Sequence, residues 1–586
     1  MFSSARFGII KGAFSSKTKF VAQKKIIDDL AIVIGGQAGQ GIKSIEHLLT
    51  HILKRQGYHV FASKEYMSRI RGGVNTTQIR VTTSAVGAAV DRIDLLLPLH
   101  GSVLAHCAAR ISPDTIVIGD TTQMECRQCV PVPLKQVATE IGESVYANTV
   151  AAGVVLGLLQ IDHRVAHDYV RQFFARKGAD VVAKNITALE KGTKIGEQIA
   201  YAEDIAIHIA QRGTVRDDIF LSGSEAVALG ALAAGCNFIS SYPMSPSTDI
   251  LTFLAQYGKE CGVVVDQASD EIGAMNMTLG AWYAGARAMV TTSGGGFALM
   301  EEAVSLAGMT ETPCVIHLAQ RPGPATGLPT RMEQADLNLA LYAGHGEFPR
   351  AIFAPGTAEQ AYHLTHRAFE TADAFQIPAF VLTDQFFLDA LSVIPPEALP
   401  HLKNTKHITE TAADYKRYAI MNDGISPRGI PGYGSGFVRV DSDEHGEEGR
   451  ITESFTVRRA MVEKRLHNKL PCLRASSIVP EYIGAKDAPT IIVCWGSTYH
   501  VVREALVESG RPDCAMLHIA QVYPLHESVA ALCANAKKIA VVENNATGQF
   551  ADLLLRETGI RAHQRILKYD GLPFFVEELT DQFKKL

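Results

Sequence analysis

No apolar run in these 586 residues reaches the ~18 that a membrane span needs. The longest, such as 226–236, stop well short. Basic blocks are missing too. The 56 Lys and Arg are set against 61 Asp and Glu, for a net charge of -5, so nothing in the balance favours nucleic acid. Ten cysteines scattered through so long a chain do not make a disulfide-built secreted fold. Cys126 and Cys129 have CxxC spacing, but no second pair follows to complete a four-ligand zinc or iron–sulfur site. Two ordinary reduced thiols are expected there, with a redox pair or half a metal site as alternatives, and no metal site is assigned to this chain. The first 26 residues hold no Asp or Glu but six Lys and Arg, with several Ser. That composition resembles a transit peptide or a basic extension, and without an apolar h-region it is no secretory signal. The expected compartment is the cytoplasm, with an organelle as the alternative.

What is present is ordinary globular composition, 47% hydrophobic and 20% charged, in a chain long enough for three or four domains of ~150 residues. Strand-like and helix-like segments alternate. After a basic extension (1–28), a first unit (29–200) opens with the strand AIVIGG, a glycine-rich turn, the helical pattern IKSIEHLLTHILKRQG and the strand YHVFAS. A second unit (215–390) alternates small-residue helices with the strands NFISSYP, VVVDQ, RAMVTTS, PCVIHLAQ, AIFAPG and PAFVLTD. Residues 391–485 carry SPRGIPGYGSG and DSDEHGEE and then a charged helix, the pattern of a linker or docking excursion with little sheet of its own. A last unit (486–586) alternates TIIVCWG, CAMLHIA and KIAVVEN with helices. The class is α/β, with three doubly wound domains built on parallel sheets.

Chemistry-bearing residues cluster in the loops after strands. The turn GGQAGQG (35–41) sits between a strand and a helix, where glycines admit a ligand to the backbone and a helix N-terminus attracts phosphate. A dinucleotide fingerprint would need Gly where the chain has Ser44, although Glu65 stands where a ribose-binding acid is expected. The turn is either a phosphate or nucleotide site or an unliganded βα turn. In SKEYMSRIRGGVNTTQIRV, Arg69, Arg71 and Arg80 flank Gly72 and Gly73, as a phosphate clamp or a solvated basic loop. Tyr242, Pro243 and Ser245 belong to YPMSPST, a proline-stiffened loop rich in hydroxyls. Glu271, in DQASDEIGAMNM, precedes small and apolar residues and is a candidate buried carboxyl, or else a helix-start glutamate. Ser293, Gly294 and Gly295 form a turn that admits a ligand or a neighbouring segment. The loop RPGPATGLPTR presents Arg321, Thr330 and Arg331, suited to a carboxylate or phosphate or lying free in solvent.

Taken together, these motifs resemble the 2-oxoacid:ferredoxin oxidoreductase family over about residues 29–586. The YPxxP loop, the acid before a small-residue helix, the SGGG turn and the RxGPxTGxPTR loop follow in that family's order. GHGEFPR (344–350), SPRGIPG with DSDEHGEEG, and VVENNATGQ (541–549) look most like its 2-oxoglutarate branch, and the first unit resembles the family's separate gamma subunit. Two departures stand out: Ser245 where Thr is frequent, and Ala325 where Ser is common.

The resemblance implies an oxidoreductase subunit that decarboxylates a 2-oxoacid, with 2-oxoglutarate the first choice, using coenzyme A and ferredoxin. Pyruvate or a branched-chain 2-oxoacid is the alternative substrate. It implies that Glu271 pairs with the aminopyrimidine of thiamine diphosphate, with Tyr242, Pro243, Ser293, Gly294 and Gly295 around it. Ser245, Arg321 and Thr330 would take the substrate. Gly36, Gly39, Gln40, Gly41 and Arg71 would take coenzyme A. The family's GDG motif and four-cysteine cluster are missing. Mg2+ and a [4Fe-4S] cluster are therefore expected in a beta partner, in a heterotetramer of two alpha and two beta chains. The competing readings are a non-catalytic coenzyme A- or nucleotide-binding scaffold and an NAD-dependent dehydrogenase.

Overall fold

The computed structural model describes residues 24–67 and 73–586. Short apolar runs form buried strands, and the segments between them form helices that cover the sheets. The first part supplies β1 (Lys24–Ile27), β2 (Asp29–Gly36), β3 (His59–Glu65), β4 (Asn75–Thr82), β5 (Leu95–Pro98), β6 (Ile116–Gly119), β7 (Val130–Pro131) and β8 (Ile205–His208). The middle supplies β9 (Ile219–Ser222), β10 (Phe238–Ser241), β11 (Val264–Gln267), β12 (Ala288–Ser293), β13 (Cys314–Gln320), β14 (Ala351–Phe353), β15 (Pro378–Asp384) and β16 (Leu391–Ile394). The last part supplies β17 (Glu481–Ile483), β18 (Thr490–Trp495), β19 (Cys514–Ile519), β20 (Gln521–Tyr523), β21 (Lys538–Glu543) and β22 (Gln564–Leu567).

The middle sheet has the order β11-β10-β12-β13-β15-β14-β20 and is parallel except where β20 joins. The last sheet, β17-β19-β18-β21-β22, is parallel but for β17. The α/β class expected from the sequence holds. The first sheet is mixed, β7-β6-β5-β2-β4-β3-β16-β9. Here the sequence misleads. NTTQIRVT reads as part of an arginine-rich loop, yet it is β4, inserted antiparallel between β2 and β3. Its polar residues hide the strand because their partners are distant. Gln78 exchanges hydrogen bonds with the backbone of Val90 (2.7 and 3.1 Å), and Thr77 donates to Glu46 (3.1 Å). β9 and β16 complete the edge of this first sheet, tying the middle of the chain to its beginning.

Helix α1 (Ile42–Gln56) covers the first sheet. Behind it, α2 (Ala147–Leu158) and α3 (Ala179–Ala202) approach until their backbones touch. A Cβ on Gly157 would lie 2.1 Å from the carbonyl of Thr193, and one on Gly196 would lie 2.1 Å from that of Val154. Four glycines, 153, 157, 192 and 196, therefore set the interhelical distance. Among the described residues, no helix is long and apolar enough to cross a membrane.

Residues 395–480 form no named strand. They wrap the middle domain and end in a continuous helix whose central turns, Glu463–Lys469, are π-helical. A buried charge cluster fastens them. Lys464 and Lys469 both ion-pair with Glu311, and all three are at most 1% exposed. Arg417 donates to the Glu311 carbonyl at 2.6 Å. Burial opposes the ionised carboxylate, yet the two lysines hold Glu311 well below the usual carboxylate range. Burial pulls Lys464 down to about 8 against the pull of Glu311.

Glu311→Gln leaves two buried ammonium groups without their counter-charge. Urea unfolding should show a loss of ~3–5 kcal/mol, the usual result of breaking a buried pair from one side. Because the folded carboxyl sits below its ordinary value of 4.5, the contribution is complete above that pH and is lost as pH falls below it. The variant should therefore also lose part of the parental protein's dependence on acid.

Candidate active site

In a parallel sheet, the loops that follow the strands share one edge. In the order β11-β10-β12-β13, that edge gathers four motifs far apart in sequence: Glu271 after β11, the YPMSPS loop after β10, the turn 293–296 after β12 and Arg321 after β13.

Glu271 begins α4 (Glu271–Tyr283). The neighbouring acids are engaged elsewhere. Asp270 caps the helix, accepting from the Gly273 N–H at 2.7 Å, and Asp266 accepts from Ser240 Oγ at 2.9 Å. Glu271 is 4% exposed, and its Oε1 has no hydrogen-bond partner. It packs against the turn: a Cβ on Gly296 would lie 2.6 Å from that oxygen and 2.3 Å from Thr292 Oγ1. Ser293 Oγ, in the same turn, is also buried without a partner. Gly295 is exposed, and the nearest atom to a Cβ there would be the Ala325 carbonyl at 3.6 Å.

On the other side of the turn stands Asp336, which no motif in the sequence singles out. A Cβ on Gly294 would lie 2.5 Å from both of its carboxyl oxygens, and its Oδ2 has no partner. Burial pushes this carboxyl up to about 7, with Glu333 adding to the rise and Arg321 opposing it. Its only sequence signal is its place before α5 (Leu337–Tyr342). The segment that carries it is clamped. The Asp336 N–H donates to Gln320 Oε1 at 3.0 Å. From the VVENNATGQ motif, Gln549 donates to the Ala335 carbonyl (2.8 Å), Asn545 donates to the Gln334 carbonyl (3.2 Å), and the Asn544 N–H donates to Gln334 Oε1 (3.0 Å).

Arg321 donates to the backbone carbonyl of Ser245 at 2.6 Å, joining the second and fourth loops. Ser245 and Tyr242 are exposed and Pro243 is half-buried. Thr330 lies apart from Arg321, in a crevice shared with Arg110, Glu65 and residues 571–573 and 575. Beside it, Arg331 ion-pairs with Glu65 at 2.6 Å, and His106 reaches the same carboxylate at 3.1 Å. Although burial opposes ionisation, the His106 hydrogen bond and the Arg331 charge hold Glu65 at about 2. Glu65 is thus an interdomain ion-pair partner that also lines the cavity at the glycine-rich turn. Arg80 is no phosphate clamp either: 1% exposed, it pairs with Asp29 and with Glu504 of the last domain.

A second cavity, of about 560 Å3, opens at the glycine-rich turn. Gly39, Gly41, Lys43, Lys64 and Tyr66 line it, and Asp249 reaches it from the middle domain. α1 points its N-terminus here without a side-chain cap. Gly39, at φ +89°, faces open space: a Cβ placed there would have no atom within 4 Å. Gly36 and Gln40 do not line the cavity. Gln40 folds inward and accepts from the Gln37 N–H at 2.6 Å. Arg71 lies outside the described residues. Cys126 and Cys129 are joined in a disulfide, with their Cα atoms 5.5 Å apart in the range that such a bond spans; this agrees with the redox-pair alternative and not with two separate thiols.

Residues 31–195 match the family described as pyruvate ferredoxin/flavodoxin oxidoreductase, and residues 229–464 match its thiamine diphosphate-binding domain. The alpha subunit of a 2-oxoacid:ferredoxin oxidoreductase from a Sulfolobus species is 29% identical, over 95% of this chain and 97% of that one. Subunit KorA of 2-oxoglutarate synthase from Methanocaldococcus jannaschii is 33% identical, over 56% of this chain and 88% of its own. The solved structure of 2-oxoglutarate:ferredoxin oxidoreductase from Magnetococcus marinus superposes with a TM-score of 0.90 at 30% identity, covering 95% of this chain and 99% of that one. The chain belongs to the 2-oxoacid:ferredoxin oxidoreductase family. It corresponds to the alpha subunit of this multi-subunit enzyme.

The turn fits the family's cofactor. An aminopyrimidine needs a carboxyl beside its ring nitrogen, and Glu271 Oε1 is buried and unpartnered. Gly296→Ala would force a methyl group into that oxygen and into Thr292. The oxidoreductase complex carrying it should bind thiamine diphosphate at least tenfold more weakly (~1.4 kcal/mol per tenfold) and melt lower by the ~1–3 kcal/mol that overpacking a buried site costs, while its circular dichroism stays parental. Parental affinity would place the cofactor elsewhere.

Proposed function

We propose that this chain holds the pyrimidine half of thiamine diphosphate through Glu271 and the turn at Ser293, within a complex that oxidatively decarboxylates 2-oxoglutarate to succinyl-coenzyme A and CO2. The observation that carries the proposal is the orphaned Oε1 of Glu271, held against Gly296. A buried carboxyl in that position can hand a proton to a ring nitrogen and take it back. Bound there, the cofactor supplies a thiazolium electron sink that lets CO2 leave. Arg321, held by the Ser245 carbonyl, offers its remaining guanidinium donors to the substrate carboxylate, and Ser245, on the same exposed loop, offers a hydroxyl.

The choice of 2-oxoglutarate is supported by the names of the Magnetococcus and Methanocaldococcus relatives. The same Magnetococcus structure holds coenzyme A and succinyl-coenzyme A. In this chain the cavity at Gly39 and Gly41 suits such a ligand, with Lys43, Lys64 and the uncapped helix end for its phosphates. A beta subunit supplies the diphosphate and Mg2+ site and a [4Fe-4S] cluster, in a cytoplasmic heterotetramer of two alpha and two beta chains with ferredoxin as acceptor. The lack of a GDG motif and a cysteine cluster supports that division.

The test is methyl viologen reduction by the chain co-purified with its beta partner, using 2-oxoglutarate, pyruvate and branched-chain 2-oxoacids in turn. Glu271→Gln keeps shape and hydrogen bonding but cannot exchange the proton, so turnover should fall ~10²–10⁴-fold with assembly intact. Parental turnover in that variant would remove Glu271 from the mechanism.

Coenzyme A is tested separately. Asn tolerates a positive φ, so Gly39→Asn keeps the turn while filling the cavity. That complex should still release CO2 from 2-oxoglutarate but fail to form the thioester. Normal calorimetric binding of coenzyme A by the variant would make the turn purely structural.

A further inference from the structure

Three polar atoms gather around the side-chain-free turn after β12: Glu271 Oε1, Ser293 Oγ and Asp336 Oδ2, all buried and all without a partner. Glu271 and Ser293 are accounted for by the cofactor reading. Asp336 is not. Its carboxyl lies against Gly294, whereas that of Glu271 lies against Gly296. Its position is built. The Asp336 N–H is fixed by Gln320, whose own amide is anchored on the Thr383 carbonyl at 3.1 Å, and the two preceding residues are held by Asn545 and Gln549 of the last domain. All these bonds fix the backbone, and none engages the carboxyl.

The charged groups facing it are Arg321, from the loop after β13, and Glu333, from the same segment; Glu271 lies across the turn. From the last domain, the helix Gln549–Thr558 presents the uncharged Gln549 here. Arg321 makes no ion pair with Asp336, and its hydrogen bond goes to the Ser245 carbonyl instead. Burial and Glu333 outweigh Arg321 and push the carboxyl up to about 7, so acid and carboxylate are both populated around neutrality.

We propose that the buried, unpartnered carboxyl of Asp336, set against Gly294, meets the carboxylate end of the 2-oxoacid beside Arg321 as a hydrogen-bond donor. The inference rests on the substrate assignment above. A carboxylate substrate meets a donor from the protonated acid and a like charge from the ionised one. The same residue therefore binds substrate at lower pH and repels it at higher pH. Asn keeps the donor and cannot ionise.

The experiment compares the assembled complex with Asp336→Asn and Asp336→Ala from pH 6 to pH 8.5. Parental KM for the 2-oxoacid should rise by about tenfold per pH unit once the carboxyl ionises. Asp336→Asn should flatten that rise, Asp336→Ala should raise KM already at pH 6, and thiamine diphosphate affinity should be parental in both. Difference infrared spectroscopy of the full chain without partner or cofactor gives a readout independent of activity: burial also pushes Asp384 up to about 6, so the expected result is the loss, in Asp336→Asn, of one component of the protonated-carboxyl absorption near neutrality while the Asp384 component stays. An unchanged KM profile in Asp336→Asn, or a protonated-carboxyl absorption in that variant identical to the parental one, overturns the proposal. A shift in cofactor affinity with parental KM also overturns it and moves Asp336 to the cofactor. Absence of turnover by the parental complex with every 2-oxoacid sinks the substrate assignment and this inference together, whereas parental turnover with an unaltered profile sinks this inference alone.

Discussion

Gly294 and Gly296 leave room, one on each side of a single turn, for the carboxyl groups of Asp336 and Glu271. A methyl group at either position would strike carboxyl oxygens at 2.5–2.6 Å. The turn can therefore carry no side chains there, and the two acids reach it only because it has none. One oxygen of each acid, and Ser293 Oγ in the same turn, are left without partners. Desolvation of unpaired polar atoms is unfavourable, so the arrangement is retained at a cost in stability that a bound ligand offsets.

The turn would be of little use if its surroundings moved. Three domains hold it in place. The last domain grips the segment before Asp336 through Asn544, Asn545 and Gln549, and Glu543 stabilises that grip by accepting from the backbone of Phe550 and Ala551 at 2.8 and 3.0 Å. The first domain reaches the far end of the Arg321 loop through Glu65 and Arg331. Glu65 also lines the cavity at the glycine-rich turn, so one carboxylate touches both the loop that carries Arg321 and the compartment assigned to coenzyme A. Arg80 ties the first domain to the last through Glu504. The long excursion is fastened from beneath by Glu311 and its two lysines, where the sheet alone provides no attachment.

Periodicity and turn chemistry make most strands legible, because a strand buried on both faces reads as a short apolar run. β4 is the exception: its Thr, Gln and Arg side chains are satisfied by groups elsewhere in the chain, and a local reading counts them as surface. The same difficulty hides the roles of Arg80 and Glu65. A charged side chain is indistinguishable in sequence from a ligand-binding one when its partner lies 424 or 266 positions away.

By itself the sequence determined the α/β class, the family, and the loops that carry the chemistry, since these depend on local residue patterns and on motif order. It singled out Glu271 through the resemblance to the family's motif order, since the residues around it alone left a helix-start glutamate open. Tertiary structure decided which candidates meet. Parallel strand order brings Glu271, the YPMSPS loop, the turn and Arg321 to one edge, while Thr330 faces another crevice and Gln40 folds into its own turn. Asp336 belongs wholly to that second category. Nothing near it in sequence distinguishes it from an ordinary residue before a short helix, and its character comes from burial against a glycine 42 positions earlier, a contact that exists only once the sheet has formed.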